Sequence, residues 1–588
     1  MKIVYFFMLF CLALTSCQAE AAPTNSFDPA GLRFSGERAL DLETEFVTRF
    51  TGRHSGQPNN ELAAEWLQEQ FTQSGWECSI DRWEIVNYSQ PVPLNNVVCR
   101  LPGDSEQEIL VTAHLDQAST TVQGADNDGS GIAILLDLAG IFGAETERPY
   151  SLTFVATDAE EYGMIGSARY IQTHPHPENI IADISLDNLG HEYYDGMNME
   201  LIGRYKGYGP IWLALAAREA ARAGRANGIT WEVNLRAPFD QVTDQAAPVS
   251  FMDQGPGVAA GVPALGFAAH VPAEFADLHY QLWHDPDDTM EHQSAQALGQ
   301  SGLIAEALIR QLLGMKSFPQ ESGPYLYFDS SGQALRGLPL WLIFIGIVGL
   351  FLLAGLLIDR RPLAAKLRSW RTALPHFLGL WLPLLASIVL LYGFVAVGLM
   401  DYYEEYPATT KDPALLNPRW PAVILFVIGL GVFLFVGRRL AGRVAGDRER
   451  PGFKQIKSFA MFVIGLGGIY VLVINPFALL FCLPLFFWLL IRGRKGFRRA
   501  LDILFFLLGG LIVYALIYVF GFLVLRYDWL FLWYMLNMFS TQMITFPTAA
   551  VAMAMIAAGL TMIVNPPHGR RGSLPESGAE RVQAAGTS

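Results

Sequence analysis

Five short stretches in the first half of this 588-residue chain carry side chains able to hold a metal ion or move a proton. They are Thr112-Ala-His114-Leu-Asp116, Gly124-Ala-Asp126-Asn-Asp128-Gly-Ser-Gly131, Thr157-Asp-Ala-Glu160-Glu161, Leu186-Asp187-Asn188 and Leu282-Trp-His284-Asp-Pro-Asp-Asp288-Thr289. Imidazole and carboxylate together suit zinc, whose catalytic sites keep one position open for water. Each stretch alone has a plainer reading. A His-x-Asp is commonly a surface pair. Gly124 to Gly131 reads as an Asn/Asp/Gly turn capping a helix that begins near Ile132. Glu160-Glu161 reads as a solvated turn, and Asp187-Asn188 as a strand-end cap. His284 competes with His279 as the last ligand, and its Pro286, Asp288 and Thr289 context favours His284. His191 and His270 read as satisfied or surface histidines.

What must position these residues is an α/β domain. Strand-like apolar runs (109–113, 152–156 and 180–186) alternate with helical ones (62–71, 132–142 and 295–313). The alternation predicts a mostly parallel, mixed sheet flanked by helices. His114, Glu160-Glu161 and Asp187 each follow one of the strand-like runs. In open α/β sheets, ligands bind beyond the carboxyl ends of strands, so separate stretches would converge on one crevice.

Taken together and in this order, the five stretches resemble peptidase family M28, the aminopeptidase Y-like zinc metallopeptidases that include bacterial leucyl aminopeptidases. The resemblance covers roughly residues 45–315. It implies two zinc ions: His114 and Asp187 on one, Glu161 and His284 on the other, and Asp126 bridging both. It implies Glu160 as the general base, Asp116 orienting His114, and Asp288 in support. The implied activity is hydrolysis of peptide bonds, foremost the release of N-terminal residues. Alternatives on the same fold are a carboxypeptidase or dipeptidase, a glutaminyl cyclase that uses one zinc, and a non-catalytic binding protein. Binding proteins of this fold have lost ligands, whereas this set reads as complete. One departure is Thr243-Asp244-Gln245, where family members often have Ser-Asp-His; it leaves substrate preference open.

Charge and hydropathy divide the chain. Residues 1–337 hold 18 Lys and Arg against 44 Asp and Glu, a net of −26; the remainder holds 23 against 11, a net of +12. An acidic globular half argues against nucleic-acid binding and suits cations. Residues 1–17 read as a secretory signal, with Leu14-Thr15-Ser16-Cys17 resembling a lipobox that would make Cys17 a lipidated terminus. An ordinary cleaved signal and an uncleaved anchor are the other readings. Residues 27–316 form the expected peptidase-like domain and 317–337 a polar linker. Residues 338–565 form an all-α polytopic membrane domain, and 566–588 a disordered tail. Apolar spans lie near 338–358, 377–400, 421–437, 458–474, 477–491, 503–525 and 544–564, about seven in all. Basic clusters at 360–371, 438–457, 492–499 and 570–571 alternate with segments poor in Lys and Arg. The positive-inside rule places these clusters in the cytoplasm and the globular domain outside it, on the periplasmic face of an inner membrane. No ionisable residue lies in the middle of a span, which favours an anchor over a transporter. The expected partners are a peptide substrate and the lipid bilayer. Cys78 and Cys99 sit in two strand-like runs and could be neighbours, as a disulfide or as two thiols.

Overall fold

A computed structural model describes residues 18–20, 27–87, 89–320, 323–402, 417–446, 452–491, 530–542 and 544–564. The expected signal with Cys17, the span at 503–525, the basic cluster at 492–499 and the tail lie outside the described residues.

Eleven strands are present among the described residues: β1 (Gln18–Ala19), β2 (Glu77–Asn87), β3 (Gln90–Leu101), β4 (Ser105–His114), β5 (Tyr150–Thr157), β6 (Ile180–Leu186), β7 (Gly196–Glu200), β8 (Glu232–Asn234), β9 (Ala264–Ala269), β10 (Tyr325–Phe328) and β11 (Gln333–Arg336). Eight form one sheet in the order β2-β3-β5-β4-β6-β9-β7-β8. The centre is parallel: β4 pairs with β5 and β6, and β6 with β9. The flanks bring in antiparallel pairs, β2 with β3, β3 with β5 and β7 with β9. Every residue of β5 and β6 is buried, as a parallel strand covered on both faces requires. Helices such as Gly36–Arg49, Ser130–Gly143, Ile211–Ala223 and Ala295–Gly314 supply the cover. They share one apolar core with the sheet, including Val47, Ile134, Leu152, Ile184, Leu213 and Leu308. Cys78 faces Cys99 across β2 and β3, and the two are joined by a disulfide.

The segment expected to be a plain linker contains β10 and β11. They pair with each other and, through β11, with β1. The run Tyr325-Leu-Tyr-Phe328 alternates, so its two faces part company. Tyr325 and Tyr327 join the core of the globular domain, whereas Leu326 and Phe328 pack against the apolar helices. The hairpin is thus a two-faced joint, a role that composition alone does not reveal.

Beyond Arg336 the chain is helical. Five helices among the described residues are long and apolar enough to cross a membrane: Gly337–Ile358, Leu363–Ala396, Trp420–Ala445, Phe453–Ile474 and Phe546–Ile563. The first, at 22 residues, would reach about 33 Å, close to the apolar thickness of a bilayer. The second begins earlier than the apolar pattern suggests. Pro375 and the basic residues Lys366, Arg368 and Arg371 mark a boundary in sequence, but the helix runs through them from Leu363. Lys366 donates to the Leu356 carbonyl at 2.7 Å and so caps the helix before it. The Asn475-Pro476 turn joins Phe453–Ile474 to the short apolar helix Leu479–Ile491. It also touches the globular domain, where Asn475 Nδ2 donates to the Gln245 carbonyl at 2.7 Å.

Candidate metal centre

Three adjacent central strands aim their carboxyl ends at one crevice. In register, His114 at the end of β4 lies opposite Thr157 at the end of β5, and Thr112 lies opposite Ser185 of β6. Asp187 follows directly after β6. Glu160 and Glu161 follow β5 through a tight turn in which Ala159 takes a φ of +57°. That conformation is costly for a residue with a Cβ and is common at functional sites. The turn sends the two neighbouring glutamates to different places. Glu160 Oε2 lies 4.0 Å from His114 Nε2, whereas Glu161 Oε1 lies 3.1 Å from His284 Nε2. His284 arrives from the far loop after the helix Ala276–Leu282, and its backbone carbonyl accepts from the Thr120 hydroxyl at 2.7 Å.

Four side chains therefore stand as two pairs. His114 Nε2 is 3.9 Å from Asp187 Oδ1, and Glu161 faces His284. His114, Asp128 and Asp187 present ligand atoms within 4.8 Å of one another, as do His114, Glu160 and Glu161. Asp116 Oδ1 lies 3.3 Å from His114 Nδ1, close enough to orient the ring. The contact is poorly aligned, since Nδ1 makes no hydrogen bond of good geometry. Asp116 also accepts from the Glu160 and Glu161 backbone N–H groups at 3.3 and 3.4 Å, tying the glutamate turn to the histidine.

Asp126 does not stand between the pairs. Its carboxylate turns the other way, accepting from the Gly190 N–H at 2.8 Å and from the Tyr194 hydroxyl. The place between the pairs belongs to Asn127. Its Oδ1 accepts from His114 Nε2 at 2.8 Å, while its Nδ2 donates to Glu161 Oε1 at 2.8 Å and to His284 Nε2 at 2.7 Å. The backbone explains the swap. Asn127 and Asp128 leave helical geometry within this turn (φ −115°, ψ 89° and φ −129°, ψ 45°), so three consecutive polar side chains point three ways. Asp128 accepts from the His114 N–H at 3.0 Å and the Gly131 N–H at 2.9 Å. Asp288 holds the turn from behind, accepting from the backbone N–H groups of Asp126 and Asn127 at 2.8 and 3.3 Å.

The electrostatics favour a cation. Glu43, Asp116, Asp126, Asp128, Glu160, Asp187 and Asp288 are all buried around this crevice. Burial pushes the carboxyls of Glu160, Asp128 and Asp187 above the ordinary range, and that of Asp288 up to about 7. His114 moves up too: burial opposes its protonation, but the carboxylates of Asp116, Asp187 and Asp128 around the ring together outweigh it. Acids reluctant to ionise beside an imidazole eager to protonate mark a place short of positive charge. The donor set, imidazole nitrogens and carboxylate oxygens, fits zinc.

Several supporting residues carry no signal in the sequence. Arg53, fully buried, donates to the carbonyls of Leu115, Gln123 and Gly124 and to Gln117 Oε1, clamping the loops behind His114 and Asn127. Asp253 accepts from the Thr157 hydroxyl, and its charge bears on Glu160. His279 lies in a separate aromatic group, its Nδ1 3.2 Å from the Tyr193 hydroxyl. His191 is buried beside Tyr193, whereas His270 is half exposed and pairs with Asp195. Gln245 faces away from the crevice, donating to the Tyr325 carbonyl at 2.7 Å, and so helps dock the hairpin.

Residues 96–309 match peptidase family M28, so the globular half carries an M28 peptidase domain. Over 178 residues the chain is 28% identical to the alkaline phosphatase isozyme conversion protein of Escherichia coli, covering 26% of this chain and 51% of that one. It is 31% identical over 176 residues to a probable zinc metalloprotease of Pyricularia oryzae, covering 26% of this chain and 34% of that one. It is 24% identical over 297 residues to a probable leucine aminopeptidase of Trichophyton verrucosum, covering 48% of this chain and 73% of that one. The chain thus spans about half or less of the first two of these relatives. Among solved structures, a zinc aminopeptidase from Bacillus subtilis aligns at 14% identity and a TM-score of 0.40, covering 48% of this chain and 96% of that one. Porphyromonas gingivalis glutaminyl cyclase aligns at 21% and 0.40, covering 47% and 98%.

Proposed function

We propose, on the premise that the globular half is an M28 peptidase domain, that this chain is a membrane-anchored, zinc-dependent aminopeptidase acting outside the cytoplasm. The observation that carries the proposal is the meeting of His114, Glu160, Glu161, Asp187 and His284 in one buried crevice beyond the ends of β4, β5 and β6. His114 with Asp187, and Glu161 with His284, are the proposed holders of two zinc ions. Residues 27–316 are the proposed catalytic domain, 338–565 the membrane part, and 566–588 a cytoplasmic tail.

Zinc bound here would polarise a substrate carbonyl and acidify a water. The remaining work falls to the chain's own side chains. Glu160 is the proposed base: its Oε2 stands 4.0 Å from His114 Nε2, at the edge of the proposed ligands. Its raised affinity for protons suits a group that takes a proton from water and hands it to the departing amine. Asp116 fixes the His114 ring and the glutamate turn together, and Asp288 fixes the turn that carries Asn127.

The test uses full-length protein in detergent. Reporters with a free α-amino group are expected to be cleaved, acetylated ones to be spared, and a chelator to abolish turnover until zinc is restored. Cleavage of blocked peptides alone would move the assignment to a carboxypeptidase or endopeptidase. A second reading, a binding protein on a peptidase fold, is favoured by one observation: an amide, Asn127, sits where a bridging carboxylate was expected. Zinc binding without turnover of any peptide would support it.

A further inference from the structure

We infer that Asn127 makes the two metal places unequal: the chain holds one zinc firmly at His114 and Asp187, and a second only weakly at Glu161 and His284. The inference rests on the metallopeptidase reading above. A carboxylate has two oxygens and can serve a cation on each side. A primary amide has one ligating oxygen; its NH2 group is a donor with no lone pair to offer. Whichever way the amide is turned, one pair must face that NH2.

The contacts decide which pair. Asn127 Nδ2 lies 2.8 Å from Glu161 Oε1 and 2.7 Å from His284 Nε2, and both can accept its hydrogens. Exchanging the amide ends would set oxygen against oxygen at Glu161, so the present orientation is the favourable one. Asn127 Oδ1 is therefore turned toward His114, 2.8 Å from its Nε2. The first place thus has an imidazole, the Asp187 carboxylate and an amide oxygen, three protein ligands as in other catalytic zinc sites, with the Asp128 carboxylate also within reach. The second has an imidazole, a carboxylate and an opposing NH2. Asp126 cannot take over, because its carboxylate is engaged by the Gly190 N–H and the Tyr194 hydroxyl on the far side of the turn.

Metal content tests this without reference to activity. Full-length protein is loaded with zinc, dialysed against metal-free buffer and assayed for zinc per chain, with thermal melting as a check on folding. Wild type is expected to keep one zinc and Asn127→Asp two. His284→Ala is expected to keep the one firm zinc and His114→Ala to lose it. These last two variants decide the matter if Asn127→Asp does not fold. Wild type that keeps two, or an Asn127→Asp variant that folds and keeps no more than wild type, overturns the inference and leaves the peptidase reading standing. Retention by His114→Ala with loss in His284→Ala also overturns it. Wild type that keeps none overturns both.

Discussion

At the scale of single residues, the proposed base Glu160 and the proposed ligand Glu161 are neighbours in sequence that the turn sends to different partners. If Glu160 moves protons and does not hold metal, Glu160→Gln should cost roughly 10²–10⁴-fold in kcat with zinc content unchanged. Loss of zinc in that variant would show the two roles are not divided. Away from the crevice, Glu200 at the end of β7 makes a second prediction. Its Oε1 accepts from the Ser250 hydroxyl, the Phe251 N–H and Gln254 Nε2. Burial nevertheless lifts its pKa from the ordinary 4.5 to about 7. Between those values the folded chain binds more protons at Glu200 than the unfolded chain. Its contribution is complete below the unfolded value and is lost as pH rises through about 7. Glu200→Gln keeps the accepting oxygen and removes the titration. Its Tm should exceed that of wild type at pH 8 and converge on it near pH 4.5; a lower Tm at pH 8 contradicts the argument. Which residues meet was legible in the sequence wherever a side chain ends or directly follows a strand, as His114 and Asp187 do. Inside the Asp126-Asn127-Asp128 turn it was not. There, direction depends on backbone angles that follow no period, and a search for carboxylates passes over an amide.

At the scale of elements, the crevice depends on loops that no strand or helix fixes directly. Arg53 substitutes for such an element, since its guanidinium satisfies three carbonyls and the Gln117 amide oxygen at once. Arg53→Met would leave those acceptors buried and unpaired. A loss on the order of 3–5 kcal/mol is expected, with weakened zinc retention. An unchanged melting temperature and zinc content would show that the loops hold without it. The central strands β4, β5 and β6 were readable from short, mostly apolar runs, as were the helices near 62–71, 132–142 and 295–313; β7, β8, β9 and helices such as Gly36–Arg49 and Ile211–Ala223 were not singled out. The hairpin of β10 and β11 was hidden for a physical reason. Its two faces serve two different cores, so β10 has no polar face, and its apolar run is only four residues long and set among Gly, Ser and Asp. The early start of the helix at Leu363 was hidden because Pro375 and the basic residues end the apolar pattern without ending the helix.

At the scale of the whole molecule, the start and end of the globular domain lie together. β1 pairs with β11, and Arg336 at its end bonds Glu20 and leads directly into the helix Gly337–Ile358. The Asn475 turn returns to the same domain through the carbonyls of Gln245 and Ala246. The globular domain should therefore share one face of the membrane with the Asn475 turn and the loop before Trp420. The basic clusters should face the other. In sealed membranes with the globular domain outward, Lys411→Cys should react with an impermeant maleimide, and Arg443→Cys only after lysis. The reverse pattern would contradict the charge argument.

Zinc-edge X-ray absorption on purified full-length protein, wild type beside His114→Ala, tests the central claim most directly. A shell of nitrogen and oxygen with imidazole scattering and no sulfur is expected in wild type, and loss of the bound zinc in the variant. A spectrum unchanged by the substitution, or a shell containing sulfur, would contradict the claim.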